Sequence, residues 1–196
     1  MSSTTRIPKA EITGFYGYLL KRFSRKMLGE VPDGAAVMWQ NRPVLMSLLG
    51  LGRKVQKWDQ LDANLKSFAH MAVAAQVGCS WCLDYGYFHA HNEGLDELKA
   101  SEVPRWREST VFTPLERDVM EYAEAMTETP PQVTDDLFAR LLDRLGAPAM
   151  IELTSVVGFA NLSTRGNVAM GIESQEFSKV CALPLAQPSA RYATSA

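Results

Sequence analysis

Residues 65–84 read LKSFAHMAVAAQVGCSWCLD, and the rest of the chain is organised around this stretch. Its first part places Leu65, Phe68, Ala69, Ala72 and Val73 at the three- and four-residue spacing of a helix that buries one face. Gly78 ends or bends that helix, and Cys79, Ser80, Trp81 and Cys82 follow at once. Two cysteines separated by two residues can approach closely enough to form a disulfide. In the first turn of a helix they also meet unpaired N–H groups and the positive dipole end, which lower a thiol's pKa. Cys79 and Cys82 therefore read as a thiol–disulfide redox pair. The helix they open carries Trp81 to about Asn92, with Gly94 as its cap.

Other uses of a C-x-x-C pair fit less well. A c-type haem site needs His directly after the second cysteine, and that residue is Leu83. A thioredoxin-like site needs alternating strands and helices, and no period-two strand pattern occurs in the chain. Zinc needs two further ligands. His89 and His91 are two apart on a helix and face different sides, while Cys181 is distant in sequence. No metal and no cofactor is expected. The bland reading of the pair is two buried cysteines without chemistry.

Outward from this centre the pattern is helical throughout. Asp59 or Asp62 caps the helix that leads to the glycine. Towards the N-terminus, Pro43 opens a helix running towards Val55, and Ala35 to Gln40 forms a shorter one. From Glu11, Phe15, Tyr16, Leu19, Leu20, Phe23 and Met27 recur at helical spacing as an apolar stripe. Lys21, Arg22, Arg25 and Lys26 form the opposite, solvated basic face. Towards the C-terminus, Thr113-Pro114-Leu115-Glu116 is a capping box with proline at the first helical position. Thr134 caps a further helix that Gly146 ends. From Pro148 to about Met170 the chain is apolar on nearly all sides, which predicts a buried central helix. The expected architecture is all-α: a flexible tail over residues 1–10, one multi-helix domain over 11–177, and an extended or disordered tail over 178–196.

Composition bounds the function. The chain has 196 residues, of which 46% are hydrophobic, enough for a sizeable core. A net charge of -2 argues against nucleic acid as the default partner. The N-terminus lacks the apolar run of a secretory signal, so a cytoplasmic protein without a membrane partner is expected. There a close cysteine pair is more often catalytic or metal-binding than a structural staple.

Residues 65–84 resemble the carboxymuconolactone decarboxylase / alkylhydroperoxidase D-like family, in which a helix runs into a glycine and a C-x-x-C that opens the next helix. The segment 113–172, with Asn161, Arg165 and Asn167 in its last helix, is similar to the second half of longer members. The resemblance covers roughly residues 40–175. It implies an alkylhydroperoxidase D-like helical bundle that assembles into homo-oligomers. It also implies a peroxidase or thiol–disulfide oxidoreductase in which Cys82 attacks a hydroperoxide or oxidised thiol, Cys79 resolves the product, and an external dithiol protein restores the pair. Two positions depart from the family's redox motif: Ser67 stands where it has Glu, and Gly86 where it has His. His70, one turn after Ser67 and with an ordinary pKa of ~6.5, is the residue offered in place of that proton relay. Its bland reading is a plain core or surface histidine. Two alternatives stand beside the redox enzyme. One is a redox-sensing or scaffold protein without turnover. The other is a decarboxylase- or isomerase-type enzyme that ignores the cysteines and uses groups such as His70 and Arg165.

Overall fold

The computed structural model describes residues 5–190. The chain forms α1 (Gly14–Leu28), α2 (Asp33–Met38), α3 (Arg42–Gln56), α4 (Ala63–Val77), α5 (Ser80–Asn92), α6 (Glu97–Glu102), α7 (Pro114–Thr127) and α8 (Asp135–Met170). Short 3-10 turns lie at Trp39–Asn41, Val103–Arg105 and Phe177–Val180, and no strand occurs among the described residues. The all-α reading is borne out.

Local chemistry sets the helix starts. The Asp62 carboxylate accepts from the Asn64 and Leu65 N–H groups at the head of α4. Thr113 and Glu116 complete the expected capping box on α7, each side chain taking the other's backbone N–H. Thr134 caps α8 through the Leu137 N–H.

The core is built around α4, which packs against α5, α7 and α8. Phe68, Ala69, Met71, Ala72, Val73 and Ala74 are all fully buried. The alanines let neighbouring backbones approach, and Phe68 and Met71 fill the space between them, each worth about 1.5–3 kcal/mol of apolar burial. This corrects one expectation. The helix buried all round is α4; the segment from Pro148 is amphipathic. Met150, Leu153, Val157 and Ala160 face inward, while Ile151 on the same helix is 68% exposed. The reason is position, since α4 is enclosed by α5, α7 and α8, while α8 keeps one face, with Ile151 and Leu162, in solvent. The expected boundary at Gly146 survives as a break inside α8, where Gly146 adopts φ 75° and ψ 164° and Pro148 follows.

α8 also has the length and apolar content that a membrane span would need. In this fold its apolar face is spent on α4 and α7. Its Glu152 carboxylate pairs with Lys66 at 2.8 Å and accepts the Gln60 N–H.

The apolar stripe of α1 is exposed, with Phe15 at 72% and Tyr16 at 71%. What α1 buries is Ser24 and Gly17, the latter closely approached by Ile12 and Trp39 in a small satellite cluster.

Both ends of the described chain are tied down. The Arg6 N–H donates to Met170 O, and the Ala10 N–H to Ala36 O. After α8 the chain returns as a strap along α5 and α6. The Asp84 carboxylate accepts from the Ser174 hydroxyl, the Phe177 and Ser178 N–H groups and the Ser178 hydroxyl, at 2.7–2.9 Å. Further on, the Tyr87 hydroxyl donates to Leu183 O at 2.7 Å, and the Ala186 and Ser189 N–H groups donate to Ser101 O and Pro104 O. The segment expected to be an extended or disordered tail is thus an extended strap as far as residue 190, while 1–4 and 191–196 lie outside the described residues.

Candidate redox site

The turn between α4 and α5 positions the cysteines. Gly78 caps α4 in the left-handed conformation, φ 76° and ψ 28°, where only glycine sits without strain. The Gly78 and Cys79 N–H groups donate back to Ala75 O and Ala74 O, which reverses the chain within two residues. Cys79 becomes the N-cap of α5, and its Sγ accepts the Cys82 N–H at 3.2 Å. The two sulfurs are joined as a disulfide, with Cα atoms 5.2 Å apart. Cys79 is fully buried and Cys82 retains 2% of its surface.

Around the pair, Asn167 of α8 points its Nδ2 at Cys82 Sγ at 3.4 Å. The strap closes a second side: the Ser174 N–H donates to Ser80 Oγ, and the Phe177 ring meets Trp81 edge-on. Trp81, Tyr85 and His89 stack along one face of α5 at successive four-residue steps, with interplanar angles of 11° and 7°. Burial raises the Tyr85 phenol's pKa and lowers that of His89. The aromatic ladder begins between the cysteines and ends opposite α4.

His70 is at the far end of that ladder. Helices α4 and α5 form a hairpin, with Met71 against Gly86. Ala74 and Ala75 sit at the cysteine turn, so His70 lies about 6 Å back along the α4 axis. Its electrostatic neighbour is His89. Desolvation, and secondarily the His89 charge, lower the His70 pKa to about 4. The structure brings Cys79 and Cys82 together and sets His70 beside His89 of α5. Ser67 and Gly86 both border Met71: the Ser67 hydroxyl points at Met71 Sδ at 4.0 Å, and a Cβ on Gly86 would stand 3.0 Å from Met71 Cγ.

Other singled-out residues find structural partners. Arg165 donates to Thr127 O at 2.6 Å and to Asn161 Oδ1 at 3.1 Å, while the Glu152 carboxylate is held by Lys66. Asn161 donates to the Thr127 hydroxyl. Two site residues escaped the sequence reading. Asn167 stood out only as a polar residue in an apolar helix, and that was the available signal. For Asp84, nothing local in the sequence reveals the strap, whose donors lie 90–94 residues away.

The family model of the carboxymuconolactone decarboxylase family matches residues 44–125. The uncharacterized protein YnjA of Escherichia coli (strain K12) is 33% identical over 159 residues, covering 80% of this chain and 86% of that one. Among solved structures, an uncharacterized peroxidase-related protein with an alkylhydroperoxidase AhpD core, from Ralstonia eutropha JMP134, superposes with a TM-score of 0.79 at 16% identity, over 94% of this chain and 100% of that one. A cysteine-to-alanine variant of the debrominase Bmp8 in complex with 2,3,4-tribromopyrrole gives a TM-score of 0.75 at 18% identity, over 88% of this chain and 95% of that one. At these identities the solved structures speak to the fold alone.

Proposed function

The chain belongs to the carboxymuconolactone decarboxylase family, and we propose that it works there as a thiol–disulfide oxidoreductase of the peroxidase type. The observation that carries this reading is the Cys79–Cys82 disulfide at the N-terminus of α5, with the Asn167 amide aimed at Cys82 Sγ. In the reduced protein the Cys82 thiolate attacks a hydroperoxide oxygen. The O–O bond breaks, the alkoxide takes up the proton that the thiol gave up, and Cys82 becomes a sulfenic acid. Cys79 then forms the S–S bond and water leaves. An external dithiol protein supplies the two electrons that reopen the pair.

Cys82 is the proposed nucleophile because the amide donor stabilises charge on its sulfur and because it alone of the pair keeps any surface. With its pKa at about 4, His70 is neutral at pH 7 and a weak base. Its proposed part is to present an uncharged ring to the substrate beside His89, not to draw the proton from Cys82. The peroxidase-related and debrominase neighbours support enzymatic use of this fold. A homo-oligomer is proposed, supported by the exposed aromatic stripe of α1, and a cytoplasmic setting, where dithiol carriers keep such pairs reduced.

A second reading is a redox sensor without turnover. Burial of both sulfurs and the thioether at the relay positions favour it. One assay separates the two. Wild type and Cys82→Ser are compared in coupled peroxide reduction with a dithiol reductant, while the disulfide is followed by mass. Turnover lost in the variant is expected. A reversible disulfide with no turnover supports the sensor, and turnover that survives loss of both cysteines supports a decarboxylase- or isomerase-type enzyme.

A further inference from the structure

Away from the cysteine pair, the end of α5, the start of α6 and the strap bring three metal-ligating side chains together. His91, Glu97 and Cys181 each offer an atom, and these atoms all lie within 4.8 Å of one another. His91 Nδ1 and Glu97 Oε2 are 3.1 Å apart. Ligand atoms around a tetrahedral ion with bonds of about 2.0–2.3 Å stand about 3.3–3.8 Å apart, so the set closes on one ion with shifts of about 1 Å. The carboxylate is held from behind: Glu97 Oε1 accepts the Ala182 N–H at 2.6 Å, which leaves Oε2 turned to the histidine. Cys181 is placed by the 3-10 turn before it, its N–H donating to Ser178 O, and its thiol is free of any disulfide.

We propose that His91, Glu97 and Cys181 form a binding site for a borderline-soft divalent transition-metal ion, zinc by preference, which fastens the strap to α5 and α6. One thiolate, one imidazole and one carboxylate are zinc donors, whereas calcium and magnesium require shells of oxygen. Three protein ligands leave the fourth position to water. Binding requires a neutral His91 and releases the Cys181 thiol proton to solvent. The site is independent of the redox proposal, since neither Cys79 nor Cys82 contributes to it. His89 and His91 divide between the two sites because they face different sides of α5.

The test uses the full chain with the Cys79–Cys82 disulfide intact and no reductant, so that Cys181 is the one free thiol. Titration with cobalt(II) is expected to saturate at one equivalent, with a thiolate-to-cobalt charge-transfer band that zinc displaces. Cys181→Ser abolishes the band, and His91→Ala weakens binding at least about tenfold. Absence of the band, or its persistence in Cys181→Ser, overturns the site. As a measurement free of variants, one equivalent of zinc slows alkylation of Cys181; equal rates with and without zinc overturn it as well.

Discussion

Met71 of α4 and Gly86 of α5 are packed so that a Cβ at Gly86 would stand 3.0 Å from Met71 Cγ. Ser67, one turn earlier on α4, turns its hydroxyl to the sulfur of the same methionine. The two positions that the family resemblance assigns to a Glu and a His thus converge on one fully buried thioether, which carries no proton.

Gly86→His alone therefore overpacks the α4–α5 contact. We expect a loss of about 1–3 kcal/mol in urea denaturation, net of the helix propensity that replacing glycine gains, and no rise in peroxide turnover. Combined with Ser67→Glu and Met71→Ala, the same change has room. Turnover then rises about tenfold or more if proton transfer limits the native protein. Unchanged stability in the single variant would contradict the packing argument.

Asn167→Ala removes the side-chain donor to Cys82 Sγ. In a Cys79→Ser background the Cys82 thiol pKa is expected to rise by about half a unit to one unit, read from the pH dependence of alkylation. The fold tolerates the change, so the melting temperature shifts little. An unmoved thiol pKa would show that the α5 N-terminus alone governs the sulfur.

Asp84→Asn leaves the Phe177 and Ser178 N–H groups facing an amide that can satisfy only part of the carboxylate's four hydrogen bonds. The expected cost is about 2–4 kcal/mol. Because the strap also covers Trp81 through Phe177, dithiothreitol should open the Cys79–Cys82 disulfide faster in the variant. Equal reduction rates would separate the strap from access to the pair.

His70 makes stability depend on pH in a definite direction. Its pKa falls from 6.5 in the unfolded chain to about 4 in the fold, so the unfolded state binds more protons between those values. The fold is at its full stability above pH 6.5 and loses up to about 3 kcal/mol as the pH drops towards 4. His70→Gln should flatten denaturation free energy across that window and leave the Cys82 alkylation profile where it is. A shifted alkylation profile would give His70 a direct hold on the thiol.

What could be read without the structure was what is local. The starts of α4 and α7 depend on Asp62 and on the Thr113–Glu116 box, groups within three residues of the backbone they cap. The cysteine turn depends on Gly78 and its immediate neighbours. Periodicity was legible too, but it reports only that a face is apolar. It could not say that the stripe of α1 would lie exposed, or that α4 and not the later apolar segment would take the position with helices on three sides.

The amino-acid sequence by itself determined an all-α chain with a C-x-x-C pair at a helix start, because capping, turn and disulfide geometry act over a few residues. Only the tertiary structure decided what surrounds that pair. The Asn167 amide reaches Cys82 across 85 positions, and the Ser174 hydroxyl reaches Asp84 across 90. Met71 packs against Gly86 from the facing helix, and Cys181 returns to His91 and Glu97. Contacts of that span follow from how helices pack and where the strap is drawn back, and no local pattern encodes them.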